Sequence, residues 1–156
     1  MNVIQLLTSD HEKISSLFNR IEEAEGFKAK RDLFMLVKAE LEIHAQAEEE
    51  IFYPAFEGKA GFEELLENSY EDHQEVKDLL ADLLEDNQIE DFQDNLDELI
   101  ACVEDHVEEE EDVFFPRAKS SLDQTELSQL AERITALKER LSVQMQETGP
   151  RSDVAA

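Results

Sequence analysis

Shifted against itself by 62 residues, the chain superimposes all four of its histidines, His11 on His73 and His44 on His106, and Glu48 falls on Glu110. The flanks agree too: Asp10-His11 matches Asp72-His73, and the stretch from His44 to Pro54 matches the stretch from His106 to Pro116. Such self-similarity describes two copies of one supersecondary unit. Histidine is the commonest biological ligand for transition metals, so a duplicated set of histidine and carboxylate points to a pair of metal ions held symmetrically.

Between these motifs the composition leaves room for little but helix. Four Gly and three Pro in 156 residues, with Leu, Glu, Ala, Lys and Asp dominant, describe one domain of ordinary size that is helical almost throughout. The first helical pattern covers residues 2–26, with Asn2 as N-cap and Gln5 at the capping-box position, and its stripe of Ile4, Leu7, Ile14, Leu17, Phe18 and Ile21 includes His11. The second covers 28–53, with Phe34, Val37, Leu41, Ile51 and Phe52 inward, and is expected to stop at Pro54. The third covers 62–86 and the fourth 89–115, the latter expected to end at Pro116. Four helices of this length joined by short turns run antiparallel to their neighbours, giving an all-α, up-down-up-down four-helix bundle. Asp123 and Glu126 then open an additional C-terminal helix whose Leu127, Leu130, Ile134, Leu137 and Leu141 form an apolar stripe. That stripe needs a partner, either the bundle itself or a second subunit in a homodimer. The expected organisation is a bundle at 1–118, an amphipathic helix at 119–147 and a loose tail at 148–156.

In a helix, positions four apart lie about 40° apart around the axis, so His44 shares a face with Glu48 and His106 shares one with Glu110. Leu41 and Val103, each three residues before the histidine, turn that face inward. Buried carboxylates without a counter-ion cost several kcal/mol each, and the chain has too few inward Lys or Arg to pair them. A cation in the core resolves this. A single inward histidine is more often a hydrogen-bonded core residue than a ligand, and one His-x-x-x-Glu arises readily by chance in a chain so rich in Glu. Here every histidine is inward and all obey one offset. The other acidic residues of the two runs, Glu49, Glu50, Glu108, Glu109, Glu111 and Asp112, read as a solvated surface, and Phe52-Tyr53 with Phe114-Phe115 as hydrophobic plugs at helix ends.

The formal charge of −26, from 14 basic and 40 acidic residues, excludes the basic face that nucleic-acid binding requires. The acidic shell either concentrates cations or serves solubility. No apolar run approaches the ~18 residues that span a bilayer, and no signal peptide is visible, so a cytoplasmic protein is expected. Cys102, the single cysteine, fits a reducing compartment.

The order His, His-x-x-x-Glu with aromatic-Pro, then both again, resembles the haemerythrin-like, or HHE cation-binding, domain over about residues 2 to 118. The resemblance implies two iron ions with a bridging oxo or hydroxo group inside the bundle. His11 and His44 would bind one iron, His73 and His106 the other, and Glu48 and Glu110 would bridge them. The oxygen-carrying members have a second histidine one turn after the first on the third helix, where this chain has Lys77, and an Asp five residues after the last histidine, where it has Glu110 at four. Two histidines and two bridging oxygens per metal leave positions open on both irons, which favours reaction with hydrogen peroxide, dioxygen or nitric oxide over simple oxygen transport. Tyr70 and Glu40 are candidates for a further protein oxygen, and Cys102 faces inward as a small apolar residue. The alternatives are an oxygen or iron storage or sensing module without turnover, and a structural bundle holding adventitious zinc.

Overall fold

The computed structural model describes residues 1–148; of the expected tail, everything from Gly149 onward lies outside the described residues. The chain is all-α, an antiparallel up-down-up-down bundle of α1 (Val3–Glu23), α2 (Phe27–Ala47), α3 (Glu63–Glu85) and α4 (Ile89–Glu109), followed by α5 (Phe115–Ser121) and α6 (Gln124–Thr148). Asn2 caps α1 as its sequence requires: its side chain accepts from the Gln5 backbone and the Gln5 side chain accepts from the Asn2 backbone. Asp123 and Glu126 make the same reciprocal pair before α6. Between α1 and α2 the chain reverses at Gly26, whose φ of +90° suits a residue without Cβ.

Two helices depart from the expected boundaries, and in the same way. After Ala47 and after Glu109 the helix widens into a π turn, Glu48–Phe52 and Glu110–Phe114, closed by the amide of Tyr53 donating to the Glu48 carbonyl and that of Phe115 donating to the Glu110 carbonyl. The two turns are 62 residues apart. Neither proline stops the chain at the residue before it, since Tyr53 and Phe115 both keep right-handed helical dihedrals. The π turn restarts the hydrogen-bond register, so each proline falls in the first turn of a new stretch, where its missing N–H costs little. Tyr53–Phe56 is a single tight turn, whereas α5 continues past Pro116 to Ser121.

The apolar interior forms two clusters. One gathers Ile14, Phe18, Ile21, Phe34, Val37, Leu83, Phe92, Leu96 and Leu99 at the loop end between α1 and α2. The other gathers Leu7, Phe52, Tyr53, Phe56, Phe62, Phe114 and Phe115 and takes in Leu127, Leu130, Ile134 and Leu137 of α6. The C-terminal stripe is therefore buried on the chain's own bundle, against α1 and α2. Replacing Ile134, which has no exposed surface, by Ala is expected to lower unfolding free energy by about 2–5 kcal/mol. Denaturant melts should still show one transition, because α6 shares its core with α1 and α2.

Candidate metal centre

Between the two apolar clusters lies a polar layer. Glu48 and Glu110 are fully buried, and His11, His44, His73 and His106 are each less than a tenth exposed. The two helix-borne pairs meet as their spacing requires, with His44 Nε2 3.2 Å from Glu48 Oε1 and His106 Nε2 3.3 Å from Glu110 Oε2. Each glutamate also reaches a histidine on another helix: Glu110 Oε1 is 3.1 Å from His11 Nε2, and Glu48 Oε1 is 3.1 Å from His73 Nε2. The imidazoles pair in near-identical geometry, His11 with His44 at 4.9 Å and 67°, His73 with His106 at 4.9 Å and 70°. One set of donor atoms, from His11, His44, Glu48 and Glu110, falls within 4.8 Å, and a second, from Glu48, His73 and His106, does the same.

Every ring is held from behind. Nδ1 of His11, His44, His73 and His106 contacts a carboxylate oxygen of Glu111, Asp10, Glu49 and Asp72, at 2.8, 2.9, 2.7 and 3.0 Å respectively. A proton on Nδ1 donated to that oxygen leaves the Nε2 lone pair facing inward, the arrangement that metal-binding imidazoles use to fix tautomer and ring angle. These four carboxylates obey the same 62-residue offset, Asp10 with Asp72 and Glu49 with Glu111. Glu49 and Glu111 are thus not merely solvated surface, as the sequence pattern implied. Each follows its inward glutamate by one residue, and the π turn swings it beside the ring contributed by another helix.

The donor set fits a cation. Nε2 of His11 and His44, Oε2 of Glu48 and Oε1 of Glu110 are buried without a hydrogen-bond partner among the described residues. Leaving a buried polar atom unpaired costs about 1–3 kcal/mol. His11 Nε2 and Glu110 Oε1 approach to 3.1 Å without hydrogen-bond geometry, which is about the spacing of two neighbouring ligands on one ion with bonds of roughly 2.1 Å. Imidazole nitrogen and carboxylate oxygen suit zinc and iron alike.

A seventh side chain enters this layer. The Tyr53 hydroxyl donates to Glu110 Oε2 at 2.6 Å and lies 3.2 Å from Glu48 Oε1, 3.2 Å from His73 Nε2 and 3.4 Å from His106 Nε2. In an uninterrupted α-helix Tyr53 would sit about 140° around from Glu48. The π turn brings residue i+5 under residue i. Its repeat mate Phe115 occupies the matching place and stacks on His11, with centroids 5.8 Å apart and planes at 6°. The single trace of this in the sequence is Tyr at one copy of a position where the other has Phe.

The other candidates lie further out. Tyr70 is partly exposed and packs its ring edge-on to Tyr53 at 5.4 Å, Glu40 pairs with Lys13 at 2.8 Å, and Lys77 pairs with Glu49 at 3.3 Å. Cys102 is half-buried with its thiol 3.2 Å from Glu75, and burial together with that carboxylate pushes its pKa up to about 12. Lys138 of α6 forms an ion pair with Asp10, joining the last helix to the carboxylate behind His44. On its aliphatic side the layer opens into a cavity of about 360 Å³ whose lining includes all four imidazoles.

Charge in the metal-free layer is dominated by protons. Burial alone would lower the pKa of His44, but Glu48 and Asp10 outweigh it and raise it to about 10. His73 and His106 move upward for the same reason, against their burial, and Glu110, which burial would raise, is held well below its usual range by His106. A histidine whose pKa is higher folded than unfolded contributes stability that is complete below the unfolded value of 6.5 and is lost as pH rises through the folded value, about 10 for His44. Chelator-treated protein should therefore show a falling denaturant midpoint between about pH 6.5 and 10; His44→Gln should flatten that slope.

The chain matches the family described as Hemerythrin HHE cation binding domain over residues 2–118. It is similar to a Hemerythrin HHE cation binding domain-containing protein from Mycobacterium kansasii, whose crystal structure superimposes with a TM-score of 0.82 at 25% identity, covering 97% of this chain and 96% of that one. An uncharacterized hemerythrin-like protein of Schizosaccharomyces pombe is 28% identical over 145 residues, 90% of this chain and 71% of its own length. A Nostoc protein named DNA nickase is 28% identical over 155 residues; the match takes in 96% of this chain and only 43% of that relative's length.

Proposed function

The chain belongs to the Hemerythrin HHE cation binding domain family, and from that premise we propose that it is a non-haem di-iron protein that binds and reacts with a small oxidant, hydrogen peroxide, dioxygen or nitric oxide. The observation that carries this reading is the set of partnerless Nε2 and carboxylate oxygens converging in a buried layer. In it His11 and His44 hold one iron, His73 and His106 the other, and Glu48 and Glu110 bridge. The bundle at residues 1–118 is the metal-binding unit and residues 119–147 brace it. Iron bound there supplies one-electron changes at two adjacent centres, the chemistry that two-electron oxidants require.

The protein's own groups set the terms. Asp10, Glu49, Asp72 and Glu111 hold the Nδ1 protons, keeping every Nε2 free for metal. Tyr53 makes the two positions unequal: the His73–His106 side has a fifth protein donor in reach, while the His11–His44 side faces Phe115, which offers none. The exogenous molecule accordingly takes the His11–His44 side. Tyr53 also keeps its own proton, since burial and the two glutamates raise its pKa well above 10. Among the described residues no helix is long and apolar enough to cross a membrane, and the net charge of −26 opposes transfer of the Nostoc relative's named activity to this chain.

Metal analysis of freshly purified protein should give two irons per chain with the absorption of an oxo-bridged pair, and the bands should respond to hydrogen peroxide. Iron-loaded protein that leaves peroxide, dioxygen and nitric oxide all unconsumed would show the reading to be wrong. Asp72→Asn and Glu111→Gln should each weaken metal affinity about 10- to 100-fold, as loss of outer carboxylates behind metal-binding imidazoles does, measured by competition with a chromogenic chelator.

A further inference from the structure

The two sides of the polar layer are packed differently. On one side Phe52, Tyr53, Phe114 and Phe115 close directly on the imidazoles. On the other, Ile14, Leu41, Val76, Leu80, Val103 and Val107 surround the 360 Å³ cavity. A water-sized molecule occupies about 30 Å³, so the cavity is on the order of ten times larger than hydrogen peroxide or a diatomic gas needs. Its volume and aliphatic wall match those of sites for organic molecules, roughly 300–1,000 Å³ and mostly apolar with a few convergent polar groups. The polar groups here are the imidazoles of the floor.

Charge at the mouth narrows the class. Glu42, Glu49, Glu50 and Lys77 line it, Lys77 is already paired with Glu49 and Glu42 with Lys38, and the Gln46 amide donates to Glu50. Among these residues no cation is left to greet an anion, and one carboxylate stands in excess. We propose that the cavity binds an uncharged organic hydroperoxide, its hydrocarbon body against Ile14, Leu80 and Val103 and its oxygen end at the histidine floor. This rests on the reading that the centre reacts with peroxides.

The test uses full-length protein loaded with zinc, which the same ligands accommodate and which performs no redox chemistry. Calorimetric titration with cumene hydroperoxide should show saturable one-to-one binding. Val103→Phe and Val76→Phe, which fill the cavity from its wall and from its partly exposed rim, should each weaken it at least tenfold. A carboxylate with the same hydrocarbon body, 2-phenylpropanoate, should bind at least tenfold more weakly than the hydroperoxide. Zinc content and helical circular dichroism of each variant separate a filled cavity from a collapsed fold, and Val76→Phe, at the rim, keeps the test open if Val103→Phe does not fold. Absence of saturable binding overturns the proposal, as does wild-type affinity in both variants or equal affinity for the carboxylate. Iron-loaded protein assayed with hydrogen peroxide tests the underlying reading separately: inert iron with intact hydroperoxide binding removes the peroxide reading alone, and peroxide consumption without hydroperoxide binding removes the cavity proposal alone.

Discussion

Glu48 and Glu110 stand in the middle of a helical core with no exposed surface, at positions where a bundle would ordinarily carry leucine. An ionised carboxylate so placed loses several kcal/mol of hydration unless opposite charge replaces it. Among the described residues, the ion-pair partners of both are imidazoles. The demand for compensation organises the rest. It brings four histidines inward from four helices, ties each ring back to an outer carboxylate, and leaves lone pairs directed at the space a cation would fill. Charge thus passes outward in shells, from the central carboxylates through the imidazoles to Asp10, Asp72, Glu49 and Glu111, and on to Lys138 and Lys77 at two of the four exits.

The pseudo-symmetry of the layer is close, down to matching ring angles and matching π turns, and one pair of positions breaks it. Tyr53 and Phe115 have nearly the same shape and occupy equivalent places, yet one presents a hydroxyl to the carboxylates and the other an inert face to His11. A bundle duplicated from one hairpin gains two unlike metal positions from a single oxygen atom.

The architecture and the six inward groups were legible because helical periodicity and an exact offset report on burial, and burial is what decides where a carboxylate needs a cation. The capping residues Asn2 and Asp123 were equally plain, since their bonds are local. What escaped the sequence was everything that follows from the π turns. An α-helical projection points Glu49, Glu111 and Tyr53 away from the layer; one extra residue per turn at Glu48–Phe52 and Glu110–Phe114 points them back. The prolines were taken as stops for the same reason. The placement of α6 was likewise undecidable from its stripe, because a leucine ridge fits a bundle groove and a second copy of itself equally well; the burial of Ile134 and Leu137 against α1 and α2 answers it.

The hydrophobic interior is not one continuous body but two, parted by the polar layer. Apolar contact therefore welds each half of the bundle internally and does little to weld one half to the other. Across the seam the halves are joined by the helix backbones and by whatever neutralises the six groups between them. A bundle constructed this way has its mechanically softest cross-section at its chemically active one, so that filling or emptying the seam is felt along the whole length of the molecule.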